Sequence, residues 1–351
     1  MRRDLVPLVP VAPFDFDQAV HAGLAAYYLP AMDDWNRSIV RPLAVEGFRR
    51  AMREARAAYE DAATLDAEAA EAWERHVRLG ELVLQRYFAF AAAFDDFDSV
   101  LADEDLWVPV PDPDDPGREL GTPDGRPVRF LCRLDQLISD DDDEWWVVDH
   151  RVGRDGWADD ATLLGDLDTV RTWWALEVAY PQIYVAGTVH NELLVTLDDS
   201  ELDVPPDGAE LDRRDMSAGA RHPNLRRAPQ TPEERILWAA VDRPDEIVHR
   251  EAVGPVRRTW IRRGRGDVHE VGFGIAAEVT AMLAEDMLVP PSPVAEVCGR
   301  CPFLHPCLVI EGGGDPEPVL AASYRPRRAD EFDEAGLRSA ARRQARSGLG
   351  R

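Results

Sequence analysis

Asp135, Asp149 and Arg151 are the residues whose types and spacing point most directly to chemistry. Asp135 lies near the end of VRFLCRLDQLI (128–138), a strand pattern. Asp149 and Arg151 lie in EWWVVDHRV (144–152), the returning strand of a hairpin turned by SDDDDE. Carboxylates on adjacent strands can share a hard divalent cation such as Mg2+ or Mn2+. Such an ion keeps waters, one of which can attack a phosphodiester. Side chains at i and i+2 of a strand share a face, so Arg151 joins Asp149 and His150 points away. A cation there can orient the attacking water or stabilise a pentavalent phosphate. The same residues also fit a plain hairpin with solvated acids and an Asp149–Arg151 ion pair.

A second group of reactive residues is CGRCPFLHPC, with Cys298, Cys301 and Cys307 in a C-x-x-C-x5-C pattern. In a reducing compartment this spacing suggests a metal, such as Zn2+, rather than a disulfide. The fourth cysteine, Cys132, sits in the strand with Asp135 and is a possible fourth ligand, with His305 as another. Two arginine clusters are candidate phosphate contacts. RRTWIRRGR offers Arg257, Arg258, Arg262 and Arg263 around Trp260, whose ring could stack on a base. RHPNLRR (221–227) could act in the same way. Ordinary charge balance in an acidic chain explains both clusters equally well. One member of each pair Trp145–Trp146 and Trp173–Trp174 is expected in the core.

Helices are expected over 18–29 and 42–95, with Asp66 a possible N-cap. Apolar residues recur at three and four in AWERHVRLGELVLQRYFAFAAAF, the spacing of an amphipathic helix. LWVPVPDP (106–113) reads as a strand running into a turn. A helix follows the hairpin at about 159–178, then a strand over 182–197. Residues 198–235 are a polar excursion, VGPVRRTWIRR (253–263) a strand or edge segment, and 267–286 a helix. This order implies an α/β fold, a mixed sheet with helices packed on it. A single domain over 1–320 is expected, with a helical region over 18–95, a core over 100–290 and the cysteine cluster over 298–307. An Arg-rich, disordered tail is expected over 321–351.

The 351 residues carry a formal charge of −26, so any nucleic-acid contact needs a local basic patch. All 40 cationic residues are arginine. Arg stays protonated, which excludes P-loop, Schiff-base and lysine general-base mechanisms. No run reaches the length of a membrane span and no signal peptide is evident, so a cytoplasmic protein without a membrane partner is expected.

Taken in order, these features resemble the PD-(D/E)XK nuclease superfamily, specifically RecB-like exonucleases of the CRISPR-associated and phage type. FDQAVHAGLAAYY matches an early helix with a metal-binding histidine, here His21. CRLDQLI matches the strand with the first metal aspartate, and VVDHRVG matches D/E-x-K with Arg151 in the lysine position. The three C-terminal cysteines match the family's cluster. The resemblance implies a restriction-endonuclease-like core holding Mg2+ or Mn2+ on His21, Asp135 and Asp149, beside a backbone carbonyl. It further implies a four-iron cluster on the cysteines and hydrolysis of DNA, single-stranded in the first instance. Glu104 is a further acid near the expected site. The family's Gln-x-x-x-Tyr falls on Asp168 and Thr172, and Arg151 cannot act as a general base. Two alternatives stay open: a weakened nuclease fold kept for DNA binding or assembly, and a zinc-stabilised protein unrelated to nucleic acid.

Overall fold

The structure, a computed structural model, describes residues 5–9, 15–61, 63–115, 117–153, 156–195, 245–283, 298 and 301–326. Strand β1 (Leu5–Pro7) is followed by helices α1 (Phe16–Tyr27), α2 (Arg37–Glu60) and α3 (Ala67–Phe94). Strands β2 (Phe97–Pro109), β3 (Arg129–Asp140) and β4 (Trp145–Gly153) lead to helices α4 (Asp160–Leu164) and α5 (Leu167–Ala179). Strands β5 (Val185–Leu194), β6 (Glu246–Val253) and β7 (Val256–Arg262) precede helix α6 (Arg265–Leu283). Helices α7 (Leu304–Glu311) and α8 (Glu317–Ser323) and strand β8 (Tyr324–Pro326) complete the described chain. No helix of the described residues is long and apolar enough to cross a membrane. The excursion expected over 198–235, with RHPNLRR, lies outside the described residues.

The chain falls into two compact units. The smaller takes the described residues of Met1–Phe16, Arg50–His76 and Glu285–Arg351. In it β1 pairs antiparallel with β8. Tyr324 stacks on Phe303, with ring centroids 5.1 Å apart, and donates to the Pro302 carbonyl at 2.5 Å. The expected loss of structure from 321 is therefore corrected for Ala321–Pro326, which complete α8 and form β8. The rest of the tail, 327–351, lies outside the described residues. Asp66 does cap α3, its Oδ1 accepting from the Ala69 amide at 2.7 Å.

The larger unit, Asp17–Arg49 with Val77–Ala284, is built on a six-stranded sheet in the order β2-β3-β4-β5-β7-β6. Every neighbouring pair is antiparallel except β4 and β5, which run parallel across the α4–α5 connection. The α/β class and the mixed sheet flanked by helices are as expected. The period-2 alternation of EWWVVDHRV separates two cores. Trp146 and Val148 join Ile138, Val189 and Trp260 on one face. Val147 joins Leu137, Trp173 and Leu176 of the other, under α5. Trp173 is fully buried, and truncating such a residue to Ala costs about 3–5 kcal/mol. α2 and α3 pack closely where a Cβ at Gly80 would strike the Phe48 ring, so only glycine fits there.

Two boundaries differ from expectation for local reasons. The helix expected over 159–178 breaks at Gly165, and Asp166 restarts it as the N-cap of α5. VGPVRRTWIRR is one arm of a hairpin, β6–β7, whose turn uses Gly254 at φ +53°.

Candidate functional site

The ladder between β3 and β4 is short. It joins Gln136–Ser139 to Trp145–Val148 and ends there. Beyond it β3 stays paired with β2 as far as Arg129, and β4 stays paired with β5 as far as Gly153. The sheet therefore splits between its second and third strands. The first residues past the last pair, Gln136 with Val148, are Asp135 and Asp149. Residues opposed across antiparallel strands share a face, so both carboxylates stand at the mouth of the split.

Two groups of side chains gather there. From α1, His21 brings Nδ1 to 3.6 Å from Asp135 Oδ1, while its Nε2 lies 3.7 Å from Asp17 Oδ1. That Nε2 is buried without a hydrogen-bond partner. Asp135 Oδ2 accepts the His150 backbone amide at 2.9 Å, across the split. Burial pushes the Asp135 carboxyl up to about 6; His21 opposes this and Asp149 adds to it.

The second group surrounds Asp149. Its register partner on the parallel strand β5 is His190, whose Nδ1 lies 3.6 Å from Asp149 Oδ2 and 3.8 Å from Asp166 Oδ2. Arg151 donates through Nε to Asp149 at 2.5 Å and through Nη2 to Asp166. Thr169 also donates to Asp166. Burial alone would raise the Asp149 carboxyl, but His190 and Arg151 outweigh it and bring it down to about 2. Among the described residues, Asp149, Asp166 and His190 are the group whose ligand atoms all lie within 4.8 Å of one another. The expected triad of His21, Asp135 and Asp149 is not drawn together so tightly: Asp149 faces Asp166 and His190, and Asp135 faces His21.

His150 points the other way, as the strand period requires. Its Nδ1 accepts from Asn191 Nδ2 at 2.9 Å, and the ring stacks on Tyr28, with centroids 6.0 Å apart. Burial, then the neighbouring His21, lowers its pKa to about 3, so it stays neutral. Glu104 is buried on β2, registered against Leu134. Asp168 is 86% exposed and pairs with Arg171, and Thr172 bonds back to the Asp168 carbonyl. Neither contact reaches the Asp149 group.

The basic segment needs correction. Arg257, Arg258, Trp260 and Arg263 are buried and Arg262 is nearly so. Each arginine is paired inside the fold: Arg257 with Glu192, Arg258 with Asp95, Arg262 with Glu144 and Arg263 with Asp245. Desolvated, paired cations on an interior strand cannot also neutralise a phosphate backbone. Trp260 packs edge-on against Trp146, with ring centroids 5.1 Å apart, and offers no stacking face to solvent.

Cys132 packs against the α5-side core, and burial pushes its thiol up to about 12. So held, it packs as a small apolar side chain. Cys298, Cys301 and Cys307 sit in the smaller unit, where the Cys301 amide donates to the Cys298 carbonyl at 3.1 Å. Burial raises the Cys307 thiol, with Glu311, Cys298 and Cys301 adding to the effect.

His190 and Asp166 were missed in the sequence. The signal for His190 was the polar run His190-Asn191-Glu192 inside VAGTVHNELL, a strand buried along nearly its whole length. Asp166 stands where GDLD marks a helix start. No family model matches the chain, and no curated protein matches it either.

Proposed function

We propose that this chain is a metal-dependent nuclease with a restriction-endonuclease-like core, acting on DNA and in the first instance on single strands. The observation that carries the reading is the split in the sheet, with Asp135 and Asp149 at its mouth and His21 brought to Asp135 from α1. The succession of helix, three-stranded antiparallel meander, helix and parallel strand supports it, because that order puts the acidic residues of two strands beside one helix.

The donor set fits a divalent ion. His21 faces Asp135 through Nδ1 at 3.6 Å, and Asp135 and Asp149 add oxygens of the kind Mg2+ and Mn2+ take. His21, Asp135 and Asp149 would hold the ion, which supplies Lewis-acid stabilisation of a phosphodiester and an activated water. The chain's own groups supply the rest. The buried Asp135 carboxylate is oriented by the His150 amide. Arg151 is charged and 31% exposed, so its remaining guanidinium donors are placed to hydrogen-bond a phosphate oxygen. Arg151 cannot abstract a proton, so it positions and stabilises but does not act as base. Cys298, Cys301 and Cys307 would carry an iron–sulfur cluster, or Zn2+, in the smaller unit.

One observation favours a second reading, a nuclease fold retained for DNA binding or assembly: Arg151 is held by both Asp149 and Asp166. Cleavage of single-stranded DNA with Mn2+ separates the two. The nuclease reading expects turnover by the wild type and a loss of at least about a hundredfold in Asp149→Ala and Asp135→Asn. Equal, background-level cleavage by all three proteins overturns it.

A further inference from the structure

Asp166 and His190 have no part in the nuclease reading above, yet they complete a ligand set with Asp149. We propose that Asp149, Asp166 and His190 form a binding site for a divalent first-row transition ion, sharing Asp149 with the set above, and that Arg151 is its tethered competitor. The inference concerns ion binding and does not require the chain to cleave anything.

Three observations converge. Asp149 Oδ2, Asp166 Oδ2 and His190 Nδ1 lie within 4.8 Å of one another, a spread that one ion bridges with little movement. His190 is fully buried, and its Nδ1 is aimed at the two carboxylates but has no hydrogen-bond partner. A buried imidazole nitrogen left in this state costs stability unless something uses it. Its other nitrogen is held only loosely. Nε2 accepts from Arg263 Nη2 at 3.5 Å, a long contact that the ring gives up when its proton moves from Nδ1 to Nε2 and frees Nδ1 for an ion.

The third observation is Arg151. Its guanidinium bonds the same two oxygens that face His190, Oδ2 of Asp149 and Oδ2 of Asp166. It thus balances two negative charges that would otherwise repel across the site. A dication on those oxygens makes that balance redundant and repels the guanidinium. The side chain is partly exposed, so it can turn out to solvent without burying a charge. The donor chemistry also selects the ion. Two carboxylate oxygens and one imidazole nitrogen suit Mn2+ or Zn2+ ahead of Mg2+, which prefers oxygen alone.

The test is calorimetric titration of the full chain with MnCl2 and separately ZnCl2, each compared with MgCl2. Each variant is checked for native melting beforehand. Wild type is expected to bind Mn2+ or Zn2+ ahead of Mg2+. One equivalent of that binding is lost in Asp166→Asn and His190→Gln, and Arg151→Gln tightens it by about tenfold or more, since a like charge is removed from beside the ion. Asn still caps α5 through its side-chain oxygen, so Asp166→Asn and Arg151→Gln carry the test if His190→Gln does not fold. The proposal is overturned if Asp166→Asn binds like wild type, if Arg151→Gln gains nothing, or if Mg2+ binds as well as Mn2+ and Zn2+. The two readings fail separately. Binding that needs Asp166 without any cleavage leaves this site standing and removes the nuclease. Cleavage that needs Asp135 and Asp149, with ion binding indifferent to Asp166, does the reverse.

Discussion

The arginines of β7 and the arginine of β4 lie in the same sheet and have opposite uses. Arg258 is 1% exposed, paired with Asp95 at 2.9 Å and flanked by the Phe90 and Phe97 rings at 5.0 and 5.1 Å. Tyr87 accepts from it, Tyr28 bonds both Tyr87 and Asp95, and Asn191 links Tyr87 to His150. This buried network ties α3, β4, β5 and β7 to Tyr28, just past α1, and to Asp95, just past α3. Arg151 is a third exposed and stands where the sheet has opened, beside the carboxylates of Asp149 and Asp166. A paired charge buried in the interior specifies a fold, whereas a paired charge at an opening is placed to meet a ligand. The densest arginine run in the described sequence is therefore structural, and the single arginine is the one at the candidate site.

That contrast can be broken by mutation. Asp95→Ala leaves the Arg258 charge buried without its partner, and a loss of about 3–5 kcal/mol is expected in a urea melt. Glu192→Ala removes the acceptor of Arg257 and of the Ala158 amide. A smaller loss, about 2–3 kcal/mol, is expected by the same measurement. Arg151→Gln should shift stability by no more than about 1 kcal/mol, because its ion pairs are partly screened by water. A larger loss would place Arg151 with the structural arginines and remove the contrast. At the bottom of the scale, Arg262→Gln should leave any DNA affinity and its salt slope unchanged, read by fluorescence anisotropy across salt concentrations. A slope reduced by about one unit would show that Arg262 does meet a phosphate.

The same contrast marks what the sequence made legible. The β3–β4 hairpin could be read because it is local: its strands alternate, and the turn carries its own signal. Asp140 Oδ1 accepts the amides of Asp142 and Glu144, and Asp143 takes φ +59°. Asp135 and Asp149 followed from that hairpin. His190 did not, because its place beside Asp149 depends on parallel pairing across two intervening helices, which no local pattern announces. The β7 segment misled for a related reason. RRTWIRR has the composition of an exposed basic patch, and only the acids of other elements, Glu192, Asp95, Glu144 and Asp245, reveal that each arginine is already neutralised inside. The smaller unit was hidden because it is assembled from chain segments far apart in sequence.

The split between β3 and β4 has a consequence for the timescale on which these strands breathe. Each keeps its outer ladder, so the gap can widen without a single strand-to-strand hydrogen bond being lost. The His150 amide, which points into the gap, has a carboxylate of Asp135 as its acceptor where a neighbouring strand would supply a carbonyl. Its protection from deuterium exchange should rest on that one side chain, unlike that of amides within the β4–β5 ladder. Asp135→Ala should accelerate exchange at His150 while leaving Val147 and Val148 slow, a selective change that NMR resolves residue by residue.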